Sequence, residues 1–316
     1  MQFRELGRSG LKIAPLMFGG NVFGWTADEA ASHTLLDAFL DGGFNAIDTA
    51  DSYSRWAPGH KGGESETIIG NWLKKSGKRD KIVLATKVGS DMGEGKNLRK
   101  EYVLRRAEDC LKRLQVECID LLQSHWDDDT TPVEETLEAY AQLIKQGKVK
   151  AIGCSNRTPE RLKAALAASE ARGLPRYQTL QPLYNLTDRA GFEKDYAPIC
   201  REAGLGVIPY FSLAAGFLTG KYRSAEDAAK NPARAPRVKA YFGERGLRIL
   251  MALDDVAARH KATPAQIALA WLIAQPLVTA PIASATSVKQ LQELMAAPRL
   301  KLSADDLKAL DTASAY

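Results

Sequence analysis

Short apolar runs that stop abruptly at polar side chains recur along this chain. Residues 44–53 carry Phe44, Ala46 and Ile47 into Asp48, Thr49, Asp51, Ser52 and Tyr53. Residues 82–87 end in Lys87, residues 119–125 in His125, and residues 149–156 in Ser155 and Asn156. Residues 179–185 carry Gln181 and Asn185; residues 206–212 and 278–286 repeat the pattern, and residues 16–18 run into Gly19, Gly20 and Asn21. Runs of this length bounded by turn residues predict buried strands. A single run would be a strand with a polar turn, but seven that each release polar groups at the C-terminal end predict one shared site, and residues 16–18 add an eighth strand.

Between the runs, apolar residues return at helical spacing. Helices are predicted over 28–41, with Asp28 as N-cap and Gly42-Gly43 as the stop, and over 64–75, 98–114, 132–145 and 159–171. Others are predicted over 188–202, 247–260, 264–274, 288–295 and 304–313, and a β-hairpin over 2–13 around Gly7 and Ser9-Gly10. Residues 222–246, rich in Ala, Pro, Arg and Lys, are predicted to be a mobile loop. Strands alternating with helices require parallel pairing. Eight such units predict an α/β fold, a closed (β/α)8 TIM barrel with an N-terminal hairpin and additional C-terminal helices, spanning residues 1–316 as one domain. The rival, an open doubly wound sheet, usually shows G-x-G-x-x-G directly after a strand, and this chain does not.

Composition narrows the classes. The 316 residues are 45% hydrophobic and 26% charged, ordinary for a globular protein with a sizeable core. The N-terminus lacks the apolar centre of a signal peptide and no stretch is long enough to span a bilayer, so a cytoplasmic protein is expected. The four cysteines, Cys110, Cys118, Cys154 and Cys200, are scattered without metal-ligand or disulfide spacing. A net charge of +5, spread among acidic residues, gives no reason to expect nucleic acid.

In a barrel the chemistry sits on the C-terminal rim. Asp48, Tyr53, Lys87 and His125 are the reactive groups placed there, with no metal cluster, nucleophile elbow or Walker loop beside them. A free phenol titrates near pH 10 and is a poor acid at neutrality. A neighbouring ammonium is expected to lower that pKa and make Tyr53 a general acid/base, a carboxylate to hold the ammonium, and the imidazole to hydrogen-bond a carbonyl oxygen. Lys87 keeps a second reading, as a Schiff-base lysine.

The segments AIDTADSY, GGESETIIGNWL, LATK and DLLQSH that carry this tetrad resemble those of the aldo-keto reductases, as do AIGCSN, LQPLYN, GFLTGKY and SATSVKQLQEL. The resemblance covers nearly the whole chain, in order. It implies NADPH, or NADH in some members, bound without a metal, and an aldehyde or ketone reduced to an alcohol. By position, it places the nicotinamide ring on Tyr210 and its carboxamide near Ser155, Asn156 and Gln181. Gly19, Gly20, Asn21 and Asp48 would approach it from the first loops, with Phe211 and Ser212 beside it. Leu213, Gly216, Leu218 and Lys221 would line the diphosphate. Ser284, Thr286, Ser287, Gln290 and Glu293 would meet the adenosine phosphate. Trp25, Trp56 and Trp126 follow strand ends and would wall either a substrate pocket or the core; Trp72 and Trp271 sit in helices and belong to the core.

Some positions depart from the family's pattern. Ser284 stands where many members have Gly, Leu294 where many have Asn, and Phe211-Ser212 replaces the common Ser-Pro. Thr286 and Ser287 offer hydroxyls where NADPH-preferring members often place Arg or Lys. The chain ends directly after its last predicted helix, so the mouth is expected to be open and permissive, and a monomer is favoured. Arg223, Lys230, Arg234, Arg237, Lys239 and Arg245 would either attract phosphates or solvate their loop. The same resemblance extends to the β subunits of voltage-gated potassium channels, so a nicotinamide-sensing binding subunit is the alternative to a reductase.

Overall fold

The computed structural model describes residues 1–230 and 234–316. Strands β1 (Arg4–Glu5) and β2 (Lys12–Ile13) pair antiparallel as the expected hairpin. The eight apolar runs then supply β3 (Met17–Gly19), β4 (Ala46–Asp48), β5 (Val83–Val88), β6 (Ile119–Ser124), β7 (Val149–Ser155), β8 (Tyr177–Gln181), β9 (Gly206–Val207) and β10 (Ile282–Ala283). They form one parallel sheet in the order β10-β3-β4-β5-β6-β7-β8-β9. Its two edges meet: Thr279 N donates to Val207 O at 2.8 Å and Ile282 N to Pro209 O at 2.9 Å, closing a (β/α)8 barrel.

Alternation along the strands divides the barrel interior into layers. Ala46, Val83, Ala85, Leu121, Ala151, Ile208, Ala280 and Ile282 form an apolar floor. Leu6 and Ile13 of the hairpin join it and stop the N-terminal end. Gly7 makes this plug possible, because at φ +62° a Cβ there would lie 2.1 Å from Gln178 O. The interior is equally tight at Gly153, where a Cβ would lie 2.0 Å from Thr179 Oγ1. One step above the floor the inward positions turn polar, and that change builds the site.

The helices surround the barrel. Helix α1 (Glu29–Asp41) starts where the sequence predicts, with Asp28 Oδ1 accepting from Ala31 N at 2.8 Å. It buries Leu35, Leu36 and Phe39 against the sheet, with Phe39 5.3 Å from Phe18 and 5.1 Å from Phe44 between ring centres. Burying each such side chain contributes about 2–3 kcal/mol. Helices α2 (Glu64–Ser76), α3 (Lys100–Leu114), α4 (Val133–Lys145) and α5 (Pro159–Arg172) fall within two residues of the predicted bounds. The helix predicted over 188–202 starts later, passes through a π-helical segment (Phe192–Tyr196), and continues as α6 (Ala197–Ala203).

The described part of 222–246 carries more helix than its composition predicts. It holds α7 (Ala225–Ala229) and α8 (Ala235–Lys239), and α9 (Glu244–His260) begins inside it; residues 231–233 lie outside the described residues. Helix α10 (Pro264–Ala274) opens with a capping box at Thr263, and α11 (Val288–Ala296) and α12 (Ala304–Ser314) complete the chain. Trp72 and Trp271 are core residues, their indole N–H groups donating to Asp37 and Asp311. Among the described residues, no helix is long and apolar enough to cross a membrane.

Candidate active site

Strand register sets the polar layer. Asp48 ends β4 opposite Ala85, and Lys87 lies two residues further along β5, on the same inward face. Lys87 pairs with Gln123 of β6, so a carboxylate, an ammonium and a carboxamide meet above the floor. Lys87 Nζ donates to Asp48 Oδ2 at 2.6 Å, to Thr49 O at 2.8 Å and to Tyr53 Oη at 2.8 Å. Three donations match the three N–H bonds of an ammonium; a neutral amine has only two. Tyr53 Oη in turn donates to Asp48 Oδ2 at 3.2 Å. The other carboxylate oxygen accepts from Gln181 Nε2 at 3.0 Å and Gln123 Nε2 at 3.3 Å.

Burial of its hydroxyl, then the charge and hydrogen bond of Asp48, pushes the Tyr53 phenol well above its usual range. The expectation that Lys87 lowers it is therefore overturned. Burial favours the neutral phenol, and Asp48, 2.6 Å from the ammonium, offsets the charge that would have stabilised a phenolate. Burial also lowers Lys87 from its usual value, with Asp48 opposing. His125 is pushed well below the usual imidazole range, by burial first and Lys87 second. At neutral pH the rim thus carries a protonated phenol and an uncharged imidazole.

His125 is held by its backbone and by its ring neighbours. Its backbone N donates to Val88 O at 2.8 Å, and its carbonyl accepts from Asn156 Nδ2 at 2.9 Å. Its ring lies 5.9 Å from that of Tyr53 and 6.2 Å from that of Trp126. Its Nδ1 is 2.8 Å from Ser90 Oγ. The three expected tryptophans gather on this side. Trp56 is 6.0 Å from Tyr53 and 5.6 Å from Trp25, again between ring centres. Trp56 is 50% and Trp126 39% exposed, which removes both from the core and makes them walls of the mouth. Arg234 covers the Trp25 ring and Lys96 the Trp126 ring.

The remaining expected residues form an arc around this centre. Ser155 Oγ donates to Gln181 O at 2.8 Å, and Asn156 Oδ1 accepts from Tyr210 Oη at 2.9 Å. Phe211 packs beside Tyr210, under the Arg237 guanidinium. Ser212 is buried, donating to Pro209 O, and Leu218 is wholly buried in the core, which removes its side chain from the expected diphosphate lining. Ser284 Oγ donates to Asn21 Oδ1 at 2.6 Å, above the position a Cβ of Gly19 would take. Gly20 lies against Asp48 O in the same loop. Thr286, Ser287 and Gln290 are exposed at the start of α11, and Glu293 is tied to Thr263 at 2.7 Å.

Backbone strain concentrates here. Of seven non-glycine residues with positive φ among the described residues, Ser54, Asn156, Phe211, Ala214 and Ala215 lie in rim loops, while Gln115 and Lys261 end helices. Gly216 continues the turn at φ +99°, and a Cβ there would be 3.4 Å from Lys221 Nζ. An ammonium against a glycine turn is a cradle of the kind that phosphate oxygens enter. By contrast, Arg223 pairs with Asp254, Lys230 with Asp227, and Arg245 donates to Ser314 O, so these cations are committed elsewhere.

Gln123 and Ser90 lie beside these groups and were missed in the sequence, and Ser52, near the end of the 44–53 run, was given no role there. Gln123 carried a signal, standing two residues before His125 and so on the same strand face. Ser90 carried none, since a serine after a strand reads as a turn. Among the described residues no group of three or more His, Cys, Asp or Glu side chains is placed to hold a metal.

A profile described as "Aldo/keto reductase family" matches residues 15–315. The chain is 33% identical to "Protein tas" of Escherichia coli (strain K12), over 98% of this chain and 97% of that protein. It is 35% identical to "Uncharacterized oxidoreductase YrpG" of Bacillus subtilis (strain 168), over 98% and 95%. A "Probable voltage-gated potassium channel subunit beta" of Arabidopsis thaliana is 32% identical, over 94% and 91%. With a barrel closed by the same eight strand–helix units and a profile match along nearly its full length, the chain belongs to the aldo/keto reductase family.

Proposed function

We propose that this protein reduces aldehydes or ketones to alcohols using NADPH or NADH, with Tyr53 as the general acid. The observation carrying the reading is the contact of Lys87 Nζ with both Asp48 and Tyr53 beside an uncharged His125. The donor set fits an extended dinucleotide. Lys221 over the Gly216 turn suits the diphosphate, with Leu213 alongside. Tyr210, Ser155, Asn156 and Gln181 suit the nicotinamide. Gly19, Gly20 and Asn21 suit its approach, and Ser284, Thr286, Ser287, Gln290 and Glu293 the adenosine end. When bound, the nicotinamide supplies the hydride.

The chain's own residues manage the oxygen. A carbonyl oxygen between Tyr53 Oη and the His125 ring would accept a hydrogen bond from each. As negative charge develops there, the Tyr53 proton moves to it. The phenolate left behind is stabilised by the Lys87 ammonium, which Asp48 holds in place. Trp25, Trp56 and Trp126 offer apolar and aromatic surface to the rest of the substrate. The experiment is nicotinamide oxidation with a panel of aldehydes and ketones, run with NADPH and with NADH. Turnover of reactive aldehydes is expected; its absence with both cofactors would overturn the reading.

A second reading is favoured by the relatives named as potassium channel β subunits. In it the chain would bind the nicotinamide as a sensor rather than turn it over.

A further inference from the structure

We propose that Ser90 is a positioning residue that locks His125 in the tautomer carrying its proton on Nε2. This rests on the reductase reading for its purpose, because only that tautomer presents an N–H donor to a carbonyl oxygen.

Imidazole has one proton for two nitrogens when neutral, and a hydrogen bond at one nitrogen decides which of them carries it. Ser90 is buried just beyond β5, with Oγ 2.8 Å from His125 Nδ1. Ser52 Oγ donates to Ser90 Oγ at 3.2 Å and lies 3.4 Å from Nδ1 itself. With Ser52 donating into it, the Ser90 hydroxyl has a proton to place. Among the described residues the acceptor in reach is His125 Nδ1.

Were Nδ1 protonated instead, it would donate to Ser90 Oγ, and the serine's own proton would have to turn back to Ser52 Oγ at 3.2 Å, reversing the bond that Ser52 donates. Nε2 would then face the mouth as a lone pair and repel a carbonyl oxygen. A flipped ring gives no escape, since it would set Cδ2 in place of Nδ1 against Ser90 Oγ and lose the 2.8 Å hydrogen bond. Ser52 immediately precedes Tyr53, so one loop carries both the proton donor and the start of the relay that orients its partner.

The test is nitrogen NMR of the histidine rings in wild type, Ser90→Ala and Ser90→Thr, alongside steady-state kinetics. In wild type, His125 is expected as the Nε2–H form. Ser90→Ala should bring in the Nδ1–H form and lower kcat/KM roughly tenfold, the effect of one lost hydrogen bond. NADPH affinity, read by fluorescence titration, should stay unchanged. Ser90→Thr keeps the hydroxyl and should restore both the ring signature and the rate. In a His125→Gln background, Ser90→Ala should cost less than about twofold, since coupled residues lose their separate effects. An Nδ1–H ring in wild type, or ring shifts indifferent to Ser90→Ala, would overturn the proposal. The ring shifts need no turnover, so failure of the reductase reading would show separately, as inactivity of every variant with the tautomer response intact.

Discussion

Tyr53 Oη and Lys87 Nζ lie 2.8 Å apart although 34 residues separate them in the chain. Parallel pairing of β4 with β5 produces the contact, and it decides what each group can do. Tyr53→Phe keeps the ring and removes only the hydroxyl. NADPH should still bind while turnover falls by about 10²–10⁴-fold, the usual effect of a lost acid. Stopped-flow and steady-state rates with one aldehyde check this, and turnover near wild type would exclude Tyr53 as the acid.

Lys87 spends its three donors on Asp48, Thr49 and Tyr53. An ammonium so held is not a nucleophile. Borohydride reduction in the presence of an aldehyde should leave Lys87 unmodified in the mass spectrum. An adduct there would favour the Schiff-base reading.

Burial moves Tyr53 further above the physiological window and His125 below it. Reduction should therefore show a flat kcat/KM between about pH 6 and 8. A phenol lowered by Lys87 would instead make the rate fall with rising pH inside that range. For stability the sign is fixed as well. His125, depressed on folding, contributes stability present above the ordinary pKa of 6.5 and lost as pH falls below it.

Asp51 is buried behind the site, with Arg106 at 3.2 Å from Oδ2 and, among the described residues, no hydrogen-bond partner for Oδ1. Burial first, then Glu66, raises its carboxyl to about 7. The folded chain thus binds a proton that the unfolded chain releases near pH 4, and this contribution to stability declines as pH rises through 7. Asp51→Asn should flatten the pH dependence of urea midpoints between pH 4 and 7, by no more than about 4 kcal/mol across that span. An unchanged pH profile would show that Asp51 is ionised throughout.

Reductase and sensor part ways after the first catalytic cycle. Multiple turnovers on 4-nitrobenzaldehyde are expected, with NADP⁺ leaving between them. A burst of one cofactor equivalent and then almost no further oxidation would favour the sensor.

Much of the fold and the site was legible in the residues alone. Eight apolar runs ending in polar groups predicted the barrel, because strand burial and helix periodicity are local properties of the chain. The same runs marked Asp48, Tyr53, Lys87 and His125, because inward positions at strand ends must carry whatever polar chemistry a packed barrel holds. Two short helices within 222–246 and the π-helical segment before α6 were not legible there, since Pro, Ala and Arg in a loop carry no period. Protonation was not legible either. The sequence places an ammonium near a phenol with a carboxylate to hold it, but only packing shows that burial, with Asp48 beside it, raises the phenol. The Ser52–Ser90–His125 chain was equally hidden, because it joins three loops whose closeness exists only once the barrel has closed.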